Sequence, residues 1–189
     1  MLDWLTLLQC PNLGIASLTK LRKNFPSLIC LFDASVSSLK ENNLTDEQIQ
    51  YLKKPHKHHK IVDYMSKHDI KLISIEDPQY PYLLYQTCRP PIALFAQGDL
   101  SLLKYDQIAV VGSRTPSEYG KQITEKLVAD LVSQGYVITS GLALGIDTVA
   151  HKAALNHGGS TIAVLGTGHA HIYPKGNQEL AKKVSTYGL

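Results

Sequence analysis

The spacing of apolar residues changes character twice along the chain. From residue 2 to about residue 60 it is helical and short-ranged. Leu5, Leu8, Leu18, Leu21 and Phe25 fall on helical faces, and Pro11-Asn-Leu-Gly14 interrupts them. Thr45-Asp-Glu-Gln48 has the form of a capping box, so a helix starts there and buries Ile49 and Leu52. Lys53-Lys-Pro-His-Lys-His-His-Lys60 then carries no apolar position and reads as an exposed basic linker. Beyond it, Ile70–Ile75 and Ile92–Ala96 are expected strands, separated by proline-rich segments (Asp77-Pro-Gln-Tyr-Pro-Tyr82 and Arg89-Pro-Pro91) that exclude helix.

From Gln107 the order becomes strand, helix, strand, helix, strand. The apolar runs 108–111, 136–139 and 161–165 predict strands buried on both faces. Ile123, Leu127 and Leu131 are placed on the packing face of the first helix, which Gly135 ends; the second helix runs from about Ile146 to Asn156. Alternation with short turns makes this part α/β, with a Rossmann-like parallel sheet. The chain thus divides into a helical module with its linker over 1–60 and a sheet domain over 61–189.

Composition narrows the picture only slightly. A net charge of +3 in 189 residues neither establishes nor excludes a nucleic-acid ligand, because such proteins concentrate charge locally. Cys10, Cys30 and Cys88 are odd in number, with no Cys-x-x-Cys pair, as expected of reduced thiols in a cytosolic protein. The apolar start carries Asp3 and no basic leader, and no run reaches the ~20 residues of a membrane span. The expectation is a soluble cytoplasmic protein with no membrane partner.

The candidate chemistry lies at three strand ends: Gly112-Ser113-Arg114, Ser140-Gly141-Leu142-Ala143-Leu144-Gly145 and Gly166-Thr167-Gly168. Ligands of open α/β sheets bind beyond the carboxyl ends of the strands. Glycine admits close backbone approach by an anion, and the following helix offers unpaired amides. Of 19 basic residues only Arg22, Arg89 and Arg114 are arginines, and Arg114 stands in the first of these turns, where it can grip phosphate bidentately. Lys121, Lys152 and Lys175 are weaker cationic candidates, and Tyr119 or Tyr173 can stack a base. The competing explanation is that the glycines serve only tight strand-to-helix turns. Neither Gly-x-x-x-x-Gly-Lys-Ser/Thr nor Gly-x-Gly-x-x-Gly occurs, which disfavours an ordinary NTPase or dinucleotide enzyme.

Asp147 and His151, spaced i, i+4, suit either a carboxylate–imidazole pair or two separate local roles, and the absence of a nucleophile favours the latter. His56, His58 and His59, like His169 and His171, lack the three or four convergent ligands of a zinc site, so no metal is expected.

The residues Val110-Val-Gly-Ser-Arg114 with Tyr119-Gly120, Thr139-Ser-Gly-Leu-Ala-Leu-Gly-Ile-Asp147, Ala150-His151 and Thr161-Ile-Ala-Val-Leu-Gly-Thr-Gly168 with Ile172-Tyr-Pro174 and Asn177 resemble the DNA-processing protein DprA (Smf) family. Asp77-Pro-Gln-Tyr-Pro81 with Pro90-Pro91 continues the resemblance upstream. It implies a small helical SAM-like N-terminal domain, here helix-hairpin-helix-like over Pro11–Leu21, followed by an extended Rossmann domain. It also implies single-stranded DNA binding without catalysis or cofactor, delivery of that DNA to the RecA recombinase during natural transformation, and a homodimer. The family's DNA-binding arginine falls on Arg114 and its second glycine loop on Ser140–Gly145. His169-Ala-His171 departs from the family pattern, and the family's Rossmann domain would continue past Leu189, so an incomplete sheet domain is expected. The alternative function is a nucleotide-processing enzyme of the LOG type, a nucleoside monophosphate phosphoribohydrolase. Its Pro-Gly-Gly-x-Gly-Thr-x-x-Glu pattern is absent.

Overall fold

A computed structural model describes residues 1–189, which fall into two compact units, Met1–Ala96 and Gln97–Leu189. In the first unit, α1 (Leu2–Gln9), α2 (Ile15–Asn24), α3 (Val36–Glu41), α4 (Asp46–Lys53) and α5 (His59–Lys67) precede an antiparallel pair, β1 (Lys71–Ser74) and β2 (Ala93–Ala96). The short α6 (Tyr82–Tyr85) lies between those strands in the chain. The capping box forms: Gln48 N–H donates to Thr45 Oγ1 at 3.2 Å and Thr45 N–H to Gln48 Oε1 at 3.0 Å. Ile49 and Leu52 are buried, as the pattern requires.

The basic stretch Lys53–Lys60 is largely exposed, as expected, except at His56 and His58. His58 is buried, with Nε2 hydrogen-bonded to Thr6 Oγ1 at 2.8 Å. His56 stacks on Tyr51 at 4.0 Å and bonds the Tyr51 carbonyl. Burial, with His56 alongside, pushes the His58 pKa below its ordinary value. A partner 52 positions away satisfies the imidazole, and local polarity cannot reveal it.

The second unit holds β3 (Gln107–Ala109), α7 (Glu118–Ser133), β4 (Val137–Ser140), α8 (Ile146–Asn156), β5 (Thr161–Ala163) and α9 (Gln178–Tyr187). The strands are parallel in the order β3-β4-β5, so the Rossmann-like reading holds. One sheet face packs on α7 and α8: Val110 and Ile138 meet Val128, Ala150, Ala153 and Ala154. The alanines of α8 let the helices approach closely, and each fully buried branched aliphatic contributes about 1.5–3 kcal/mol.

Two expectations about this packing hold only in part. β4 and β5 are buried or half-buried throughout, as expected, but the edge strand β3 is not, since Gln107 and Ala109 are exposed, and Val111 and Val164, just past the strand ends, are 73% and 61% exposed. Leu102, Leu103 and Leu189 pack against Val137 and Ile162. The buried stripe of α7 is also rotated: Thr124 and Val128 are inside and Leu131 packs on the core as expected, while Ile123 and Leu127 are about half exposed. Thr124 can be buried because its hydroxyl donates to the Gly120 carbonyl at 2.8 Å.

Candidate functional site

The three loops leave the carboxyl ends of β3, β4 and β5. The first two are joined to each other. Ile146 N–H donates to the Ser113 carbonyl at 3.0 Å, and Gly145 sits at φ +84° directly against that turn. A Cβ on Gly145 would collide with the Ser113 carbonyl and the Arg114 backbone. A Cβ on Gly112 would come within 2.7 Å of the Ile146 side chain. These two glycines are required for one loop to pack on the other.

Within Ser140–Gly145 most polar groups are already bonded inside the protein. Ser140 Oγ is buried and donates to the Val110 carbonyl at 2.6 Å. The amides of Gly141 and Ala143 donate to Asp147 Oδ2 at 3.1 and 3.3 Å. Asp147 stands in the first turn of α8, where a carboxylate is favoured by the helix dipole, and so takes the position an external anion would otherwise occupy. Asn177 Nδ2 donates to the Leu142 and Ala143 carbonyls at 2.8 and 3.2 Å and to Thr148 Oγ1 at 2.8 Å. Leu142, at φ 57°, is fully buried in a cluster with Leu180 and Val184. The loop is therefore clamped from both sides.

Gly166-Thr167-Gly168 is arranged differently. Nothing lies within 4 Å of where a Cβ would stand on Gly166 or Gly168, and all three residues are exposed. Here the backbone is uncovered, although the Gly168 carbonyl accepts from His171 N–H at 3.0 Å. A cleft of about 150 Å³ lies at this edge, lined by Arg114, Gly141, Leu144, Gly166, Thr167 and Tyr173. Arg114 is exposed and takes part in none of the four ion pairs of the molecule. Its guanidinium keeps all five donors for a ligand. Tyr173, 66% exposed, and Pro174 also line the cleft.

The remaining candidates separate. Lys121 pairs with Glu118 at 2.6 Å. Lys152 and Lys175 are exposed and form no ion pair. Ser113 Oγ accepts from Thr115 N–H at 3.1 Å, and Tyr119 is 73% exposed on the first turn of α7. Asp147 and His151 have separate partners: His151 is fully buried, with Nδ1 on Thr161 Oγ1 at 2.7 Å. Thr161 donates to the Ile138 carbonyl, so His151 Nδ1 carries the proton and Nε2 is a buried acceptor without a partner. Burial lowers the His151 pKa to about 4, although Asp147 opposes the shift. No group of three or more His, Cys, Asp or Glu side chains is arranged to hold a metal ion.

Sequence reasoning missed Asp147 and Asn177 as the residues that hold the second loop. The acid in the first turn of α8 was the available signal for Asp147, while Asn177 acts across 35 positions and gives none.

Fold and site together define a class: an open parallel α/β domain with a single free arginine and one open glycine loop at the carboxyl edge of its sheet. A model of the family described as DNA recombination-mediator protein A matches residues 71–189. The chain is 43% identical over 121 residues to the DNA processing protein DprA of Bacillus subtilis (strain 168), covering 64% of this chain and 41% of that protein. To protein Smf of Synechocystis sp. it is 32% identical over 194 residues, covering 98% of this chain and 49% of that one. The X-ray structure of DprA from Streptococcus pneumoniae matches with a TM-score of 0.79 at 32% identity, over 98% of this chain and 65% of that chain. A structure concerned with the single-stranded DNA binding mode of DprA from Helicobacter pylori matches with a TM-score of 0.55 at 30% identity, over 65% and 54%. The chain belongs to the DNA recombination-mediator protein A family. It spans about half or less of the length of these curated relatives.

Proposed function

We propose that this chain binds single-stranded DNA through its second unit, with Arg114 and the Gly166–Gly168 backbone holding a phosphate and Tyr173 stacking a base. The observation that carries this reading is the unpaired Arg114 lining one cleft with the open glycine loop. Single-stranded DNA binding needs a cationic track for the backbone and aromatic faces for bases, each base–aromatic stack contributing about 1–3 kcal/mol. Lys175, two residues past Tyr173, supplies a further cation. The Ser140–Gly145 loop serves as the frame on which Arg114 is placed. In the whole protein the bound strand is passed to a RecA-type recombinase in natural transformation and recombination, in the bacterial cytosol and by a homodimer.

The role is binding without catalysis. Asp147, the carboxylate that opens α8, is taken up by two loop amides, and that favours a framework role over hydrolysis of a nucleotide.

Binding of labelled oligothymidylate, titrated with salt beside a duplex of equal length, tests the proposal. The single strand is preferred, and affinity falls as salt rises because phosphate contacts release counterions. Arg114→Ala weakens binding about 10- to 100-fold, the range expected for a hydrogen bond to a charged group. The salt slope falls by about 0.7 with the loss of one phosphate contact. Parental affinity in this variant refutes the phosphate assignment.

A further inference from the structure

The second unit holds a much larger concavity than the loop cleft: a groove of about 730 Å³ between α8 and α9. Its floor is apolar, formed by Leu155 and Leu180. Lys152 projects from the α8 wall and Lys183 from the α9 wall; both are exposed and neither makes an ion pair. The one acid lining the groove, Glu179, has its carboxylate on Lys182 at 2.8 Å, which leaves the groove cationic. Tyr187, 69% exposed, lines it from the last turn of α9. Gly158 and Gly176 add open backbone, with nothing within 4 Å of a Cβ on either.

The groove and the loop cleft are lined by neighbouring residues of one short stretch of chain. Tyr173 and Pro174 line the cleft, and Gly176 and Asn177 line the groove. The groove offers what an unpaired strand needs: cations on both walls for the backbone, and an aromatic face with an apolar floor for bases. A volume of 730 Å³ lies in the ~300–1,000 Å³ range of small-ligand clefts.

We propose that the α8–α9 groove is a second single-stranded-DNA subsite, in which Lys152 and Lys183 contact two phosphates and Tyr187 stacks a base, extending the track that begins at Arg114. This rests on the reading of the loop cleft as a DNA site. It commits to nucleic acid because the lining combines unpaired cations with an exposed aromatic ring. An acidic peptide would use the cations without requiring the ring.

The test is oligothymidylate binding by the full chain, followed by fluorescence anisotropy over a range of salt. Lys152→Ala/Lys183→Ala lowers affinity about 10-fold or more. Its salt slope falls by about 1.4, from two phosphates at about 0.7 each. Tyr187→Ala lowers affinity about fivefold or more, the lower end of a base stack, and leaves the slope unchanged. Lys126→Ala, which removes an exposed charge on α7 outside both cavities, changes neither quantity. Parental affinity and slope in the double lysine variant overturn the subsite, as does an equal loss in Lys126→Ala. Retained affinity in Tyr187→Ala alongside a loss in the double variant overturns the stacking role. Arg114→Ala separates the two proposals. If it alone has no effect, the loop cleft is wrong while the lysine result still decides the groove.

Discussion

Two loops leave neighbouring strands at the same edge of the sheet, Ser140–Gly145 after β4 and Gly166–Gly168 after β5, and in the sequence both look like places for an anion. In the structure they divide the work. The first has its serine hydroxyl, two amides and two carbonyls bonded to Val110, Asp147 and Asn177, and its last glycine is wedged against the Arg114 turn. The second has bare backbone facing a cleft. The difference teaches that a glycine loop is anion-receptive only where the protein has not already supplied the anion. Asp147 is an internal carboxylate doing what a bound phosphate would do, and its effect is to fix the turn that presents Arg114.

The sharpest way to break this comparison is at Gly145. Gly145→Ala forces a side chain onto φ +84° and into the Ser113 carbonyl. Strained backbone and overpacking together are expected to cost roughly 3 kcal/mol or more, read by chemical denaturation. A variant as stable as the parent would mean that the two loops are not locked together.

His151 tests the same framework through pH. It is neutral when folded, with a pKa of about 4 against an ordinary 6.5, so the unfolded chain binds the extra proton first. Stability from this group is complete above pH 6.5 and is lost as pH falls from 6.5 towards 4, amounting to about 3 kcal/mol at about 1.36 kcal/mol per pKa unit. Denaturation across that window is expected to show a steeper acid loss in the parent than in His151→Gln. Equal slopes would remove His151 from the account.

Much of the fold was legible because its signals are local. The capping box of Thr45, the two strands before Gln97 and the β-α-β-α-β order all follow from neighbouring residues, as does the placement of Arg114 in a strand-end turn. What the sequence hid depends on distant partners. His58 reads as exposed until Thr6 is seen beside it, and α7 reads as packing through Ile123 and Leu127 until the Thr124 hydroxyl is found satisfied at Gly120. The state of the second loop was hidden for the same reason. Whether its carbonyls are free depends on Asn177, which spacing near Ser140 cannot show.

Asp147→Asn is a milder probe of the clamp. The amide oxygen keeps the geometry of the two bonds from Gly141 and Ala143, but their charge assistance is lost. A loss of about 1–2 kcal/mol in stability is expected, since hydrogen bonds to charged groups exceed neutral ones by about that much. DNA affinity should fall only to the extent that the Arg114 turn loosens. A large loss of affinity at unchanged stability would instead make Asp147 part of the ligand site.

The smallest expected effect on stability is at Gly166, and it decides the other half of the comparison. Gly166 has no positive φ and nothing within 4 Å of a Cβ, so Gly166→Ala should fold within about 0.5 kcal/mol of the parent. The added methyl would still stand where a phosphate is proposed to approach the backbone. Oligothymidylate affinity should therefore drop about fivefold, close to 1 kcal/mol, with the salt slope unchanged because Arg114 still makes its contact. Loss of stability on the scale of Gly145→Ala would show that both loops are framework. Parental stability together with parental affinity would show that the open backbone faces no ligand, and would leave Arg114 to hold the strand without it.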